Sequence, residues 1–187
     1  MTYDKRIDEL TQALRSFFEQ KSETFAKAVR EVTRSLNRGQ KILVFGNGGS
    51  ASQAQHFAAE LVNKFLLRRP AIPAIALTTD TSVLTSIAND ESFDEVFSRQ
   101  VEALGQKGDI ALGLTTSGNS PNIIRAVETA KVCGLPAIVF TGEGGGKVGP
   151  FSDILCDVPS ASTPVVQEVH LLLLHLLAEE IEKSLVR

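Results

Sequence analysis

Five short apolar runs, most of them separated by stretches of helical periodicity, constrain this chain more than any other feature. They are Lys41-Ile-Leu-Val-Phe45, Pro73-Ala-Ile-Ala-Leu77, Asp109-Ile-Ala-Leu-Gly-Leu114, Pro136-Ala-Ile-Val-Phe140 and Ile154-Leu-Cys-Asp-Val158. Runs this short and this apolar read as strands buried on both faces. Helices are expected from the Gly46–Ser50 loop to about Phe65, from Ser82, over Phe93–Leu104, from Ser120-Pro121 onward, and over Pro164–Val186. Ser120 suits the cap of its helix and Pro121 its first turn. Strands alternating with helices predict an α/β three-layer sandwich around a five-stranded parallel sheet. Ligands of such sheets bind along the edge where the strand C-termini lie.

Two further helices are expected over residues 4–37. Ile7, Leu10, Leu14, Phe17 and Phe18 recur at helical spacing, as do Phe25, Ala28, Val29, Val32 and Leu36, and Asn37-Arg38-Gly39 ends the second helix. The first has no sheet before it and is expected in an oligomer interface. A length of 187 residues fits one domain over 1–187, with N-terminal helices over 1–38 and an α/β core over 39–187. The formal net charge of -3 weighs against a nucleic-acid surface. The charged N-terminus lacks the apolar core of a signal peptide, and no apolar run approaches the ~20 residues that span a membrane. Cys133 and Cys156 have no metal-like spacing and read as free thiols, which fits a cytoplasmic location.

Two loops on the ligand edge can hold an anion. Gly46-Asn-Gly-Gly-Ser50 joins a strand to a helix, and small residues let the backbone approach a ligand at the helix start. Thr115-Thr-Ser-Gly-Asn-Ser120 offers four hydroxyls and a helix N-terminus after the third strand, which favours phosphate. Asn89-Asp90 ends the short helix after the second strand and is placed to meet sugar hydroxyls. The stretch Gly142–Lys147 reads as a flexible surface loop with no assigned chemistry.

His56 and Glu60 stand four apart, and Gln167 and His175 eight apart, so each pair can share one helix face. If the faces meet, they make a four-donor site of imidazole and oxygen suited to zinc. The last helix is apolar nearly all round and is expected to be buried, so Gln167, His170 and His175 need partners. His170 lies on a different face from His175 and reads as structural or interfacial.

At these residues the chain resembles the sugar isomerase (SIS) domain proteins, and more narrowly the sedoheptulose 7-phosphate isomerase, or phosphoheptose isomerase, family. The resemblance rests on Gly46-Asn-Gly-Gly-Ser50, His56-Phe-Ala-Ala-Glu60, Asn89-Asp90, Thr116-Ser-Gly-Asn-Ser120, and Gln167-Glu-Val-His170 followed by His175. It implies a flavodoxin- or Rossmann-like core and a cytoplasmic homotetramer with active sites at subunit boundaries. It implies one zinc per subunit, held by His56, Glu60, Gln167 and His175. It implies substrate contacts from Asn47, Gly48, Gly49, Glu60, Asn89, Asp90, Thr115, Thr116, Ser117, Ser120 and Gln167. The implied role is to make the heptose precursor of lipopolysaccharide and other surface glycans. Thr115 stands where serine is common and Lys64 where arginine often appears.

Ketose-to-aldose isomerisation moves a proton between C1 and C2 through an enediolate, which needs a base, an acid and positive charge near the oxyanion. Glu60 is expected as the base and His175 as the acid. Two other readings compete. A related replication-initiation factor that binds DnaA shares the fold and the His-Phe-Ala-Ala run without the equivalents of Glu60 and His175. A nicotinamide-dependent oxidoreductase is suggested by the loose fingerprint Gly46-x-Gly48-x-x-Ala51, but Asp80 lies about 30 residues past the first glycine instead of about 20.

Overall fold

The computed structural model describes residues 3–185, so Val186 and the outermost residues of the single-domain assignment lie outside the described residues. The elements run α1 (Tyr3–Leu36), β1 (Ile42–Gly46), α2 (Gly49–Val62), β2 (Ala74–Ala76), α3 (Thr81–Asp90), α4 (Ser98–Leu104), β3 (Ile110–Leu114), α5 (Pro121–Val132), β4 (Ala137–Thr141), β5 (Ile154–Asp157) and α6 (Thr163–Leu185). All five strands pair in parallel, in the order β2-β1-β3-β4-β5. The α/β sandwich is therefore as expected.

Alternate residues of the strands feed two separate cores, except that β2, at the sheet edge, is not buried on both faces as expected: its Ile75 is exposed. Ile42, Val44, Leu112, Leu114, Ile138 and Phe140 meet α1, α2 and α6, where Phe17, Phe25, Phe57 and Leu173 are buried. Leu43, Phe45, Ala111 and Val139 meet α4 and α5 through Phe97, Val101, Ile123 and Val127. The helices that follow β1 and β3, which are adjacent strands, therefore lie on opposite faces. A crevice opens at the C-terminal ends of such a strand pair. Gly46 of β1 and Leu114 of β3 stand in register there, so both glycine-bearing loops leave the sheet side by side.

Three elements depart from expectation. Residues 3–36 form one helix of 34 residues, not two. The polar stretch Glu19–Thr24 reads as a break, but it holds neither Gly nor Pro, and Lys21 continues the packed face by reaching Asp157 at the end of β5 (2.8 Å). This helix packs on α6 and β5 of its own chain. Residues 93–104 split into a 3-10 turn, Phe93–Glu95, and α4. The last helix is not buried all round: Leu172 is exposed and Leu171 and Leu176 are half-buried.

Candidate active site

The site grows from α2. Gly48 precedes it with φ +54° and ψ -119°, a conformation open to glycine alone, and no side chain caps the helix start. The Ser50 and Ala51 N–H groups turn back to the Asn47 carbonyl (2.9 and 3.3 Å), so of the first turn of α2 the Gly49 N–H is the one left to face a ligand. Gly49 matters for a different reason, as the residue on which a neighbouring side chain rests. A Cβ there would lie 2.6 Å from the Gln167 side-chain nitrogen, so α6 packs directly on the loop. Gln53 reinforces this junction by donating from Nε2 to the Gln167 carbonyl (2.7 Å).

Seven and eleven residues past Gly49, α2 presents His56 and Glu60 toward His175 of α6. The Nε2 atoms of the two histidines are 3.0 Å apart. Glu60 Oε1 lies 3.0 Å from His56 Nε2 and 3.4 Å from His175 Nε2. Two ring nitrogens and a carboxylate oxygen thus converge on one point. Bonds of about 2.0–2.1 Å in a tetrahedral metal site place neighbouring donors about 3.3 Å apart, which these distances approach. Glu60 Oε2 is buried without a hydrogen-bond partner. The three residues fit a divalent ion: the donor types suit one and the spacing allows one. His56 is half exposed, so the group is open on one side. Gln167, the fourth ligand implied by the resemblance, rests its side chain against Gly49 at the head of α2. Phe65 was not foreseen; its ring stacks on His175, with centroids 5.2 Å apart for the histidine pair and 5.4 Å for this one.

The hydroxyl loop after β3 is shaped from behind. Thr115 is buried, and its hydroxyl accepts the Gly118 N–H (3.2 Å). Ser117 is exposed and its hydroxyl accepts from Asn119 N–H (3.2 Å). Ser120 occupies the cap position of α5, but its side chain caps nothing; only its carbonyl receives the Ile123 and Ile124 N–H groups. The expected side-chain cap is therefore absent, and that hydroxyl remains available to a ligand. Asn47 and Asn122 exchange a reciprocal pair of amide bonds, each 2.9 Å, that ties the two loops together. Asn122 is 2 % exposed and was missed, because a single amide in a helix's first turn gives no signal of a distant partner.

The stretch Gly142–Lys147 is not a detached surface loop. A Cβ on Gly118 would lie 2.1 Å from the Gly145 carbonyl oxygen, and Val148 and Lys147 N–H groups donate to Gly118 O and Asn119 Oδ1. The glycine stretch backs the hydroxyl loop and fixes its shape. His170 is fully buried and bonds the Thr141 carbonyl (3.1 Å), so its Nε2 carries the proton and Nδ1 is left without a partner. Its structural role is as expected. Burial lowers its pKa to about 4, against a smaller raising effect from that hydrogen bond.

Asn89 and Asp90 are exposed at the end of α3, and Asn89 donates to Asp90 (2.8 Å). Asp90 lines a groove of about 630 Å³ with Ile75, Val83, Arg99 and Leu104; neither the histidines nor the hydroxyl loop lines it. Among the described residues, no hydrogen bond links Asn89 or Asp90 to the histidines or to the hydroxyl loop.

Residues 6–142 match the SIS domain. A phosphoheptose isomerase of Desulfovibrio desulfuricans is 53% identical over 164 residues, covering 88% of this chain and 78% of that protein. The chain belongs to the phosphoheptose isomerase family of SIS-domain proteins. Another family member, from Thermodesulfovibrio yellowstonii, is 47% identical over 97% of this chain and 90% of its own. The solved phosphoheptose isomerase of Neisseria gonorrhoeae superposes with a TM-score of 0.90 at 41% identity, covering 97% of this chain and all of that one. Family membership and the sandwich fold were both expected from the sequence.

Proposed function

We propose that the chain isomerises D-sedoheptulose 7-phosphate to D-glycero-D-manno-heptose 7-phosphate, supplying heptose for lipopolysaccharide or other surface glycans. One observation carries this reading: His56 and Glu60, on the helix that begins at the glycine loop, converge within 3.4 Å with His175 of α6. Gly49 and His56 are seven residues apart on α2, about 10 Å at 1.5 Å per residue. That span suits a sugar phosphate whose reacting carbons lie far from its phosphoryl group. The relatives are named phosphoheptose isomerases, which supports the enzyme over a DnaA-binding assembly factor.

In this reading Glu60, His175, His56 and Gln167 hold zinc, which polarises the substrate oxygens as a Lewis acid when bound. Glu60 takes the proton from C1; its Oε1 faces the two histidines, while Oε2 is buried and has no hydrogen-bond partner among the described residues. His175 returns a proton to complete the shift between carbons. Asn47, Gly48 and Gly49 meet the ligand at the start of α2. Thr116, Ser117 and Ser120 hold the phosphate by hydroxyls, and Thr115 shapes their loop. Asn89 and Asp90 reach the site of a neighbouring subunit, which accords with a cytoplasmic homotetramer whose sites lie at its boundaries.

The test is turnover of sedoheptulose 7-phosphate by the purified, metal-replete protein, with and without a chelator. Aldose formation that stops on chelation and returns with zinc is expected. No turnover at full metal occupancy sinks the proposal.

A further inference from the structure

Arg69 and Glu182 have no part in the chemistry above, yet each side chain is only 1% exposed and they pair at 3.0 Å. Glu182 Oε1 accepts the Phe65 N–H (2.9 Å) as well as Arg69 Nε, and Oε2 accepts the N–H groups of Leu66 (2.9 Å) and Leu67 (2.8 Å). Burial pushes the Glu182 carboxyl up, but these backbone donors and the guanidinium outweigh it and hold its pKa below the ordinary value. Arg69 directs its other nitrogens to carbonyls. Nη1 donates to Leu61 O (2.7 Å) and Pro70 O (3.0 Å), and Nη2 to Glu60 O (2.7 Å). Two of these are last-turn carbonyls of α2, which a helix end leaves without intrahelical partners.

One buried pair therefore fastens the end of α2, the turn at 65–67 and the C-terminal part of α6. Two of the fastened residues belong to the site. Glu60 is gripped by its own carbonyl, and Phe65, held by its N–H, stacks its ring on His175. Stability is a poor reason for such a pair, because desolvation offsets most of its Coulombic gain. We propose that Arg69 and Glu182 are positioning residues that set Glu60 against His175, so that the two helices present their donors at one separation. This rests on the reading of His56, Glu60 and His175 as the metal and proton-transfer group.

Arg69→Lys and Glu182→Gln test it, with Asp109→Asn as the control. Asp109 is also fully buried and ion-paired, with Lys41, but at the N-terminal end of β3, the opposite edge of the sheet. Zinc affinity is measured by competition with a chromophoric chelator, which needs no substrate and so stands whether or not the isomerase assay succeeds. Arg69→Lys and Glu182→Gln are expected to weaken zinc at least tenfold and to lower kcat at least tenfold with KM within twofold. Asp109→Asn is expected to lower Tm and leave zinc affinity unchanged. Should neither of the first two variants fold, Phe65→Leu keeps the pair and its backbone bonds, and is expected to weaken zinc threefold or more. Zinc affinity within twofold of the parent in the folded Arg69 and Glu182 variants, or in Phe65→Leu if they do not fold, overturns the proposal.

Discussion

Glu60 is asked both to hold a metal and to take a proton, and a single substitution separates the two. Glu60→Gln keeps the shape and an oxygen donor but removes the base. Proton exchange at C1 should fall about 10²–10⁴-fold, the usual contribution of a positioned general base. Phosphate-dependent binding should persist. Deuterium wash-in followed by NMR measures the first and calorimetry the second; exchange at the parent rate would remove Glu60 from the role. His170 gives a second prediction at this scale. Its folded pKa is lowered to about 4, against about 6.5 in an unfolded chain. Between those values the unfolded chain takes up a proton that the folded chain refuses, so stability is full above about pH 6.5 and declines as pH falls toward 4. The loss is about 3 kcal/mol across that window. Urea midpoints at pH 7 and 5 should differ less in His170→Asn than in the parent; equal differences would rule out His170 as the source.

The hydroxyl loop and the glycine stretch behave as one unit, because Gly118 and Gly145 touch backbone to backbone. Gly118→Ala puts a methyl into the Gly145 carbonyl at a residue with φ +65°. It should raise KM for the sugar phosphate tenfold or more while zinc content stays at the parent level. Kinetics with metal analysis check this, and an unchanged KM would detach the loop from phosphate binding. This coupling was invisible in the sequence. Glycines at 142, 144–146 and 118 signal unusual backbone, but nothing in either stretch says that they meet. The strands were legible because burial on both faces leaves an uninterrupted apolar run. The continuity of α1 was not, because Lys21 is polar in sequence and yet occupies the packed face opposite Asp157. The pairing of His56 with Glu60 could be read from a spacing of four. Its meeting with His175, 119 residues further along the chain, rests on two helices packing on the same face of the sheet, and the resemblance supplied that.

For the molecule as a whole, the proposal of sites at subunit boundaries is tested by the oligomeric state. Light scattering should give four times the 20.1 kDa of the chain, and Asp90→Ala should cost activity without loss of zinc. A monomer with full activity would contradict sites at subunit boundaries. The sheet order places two loops at one crevice from helices on opposite faces, which is why the fold was legible from strand and helix order while the groove near Asp90 was not. The openness of the histidine–carboxylate group has a further result. With His56 half exposed, an ion held there as proposed would stand open to exchange, and imidazole and carboxylate donors generally bind copper more tightly than zinc. Metal content on isolation would then reflect which cations were on offer as much as the donor set itself.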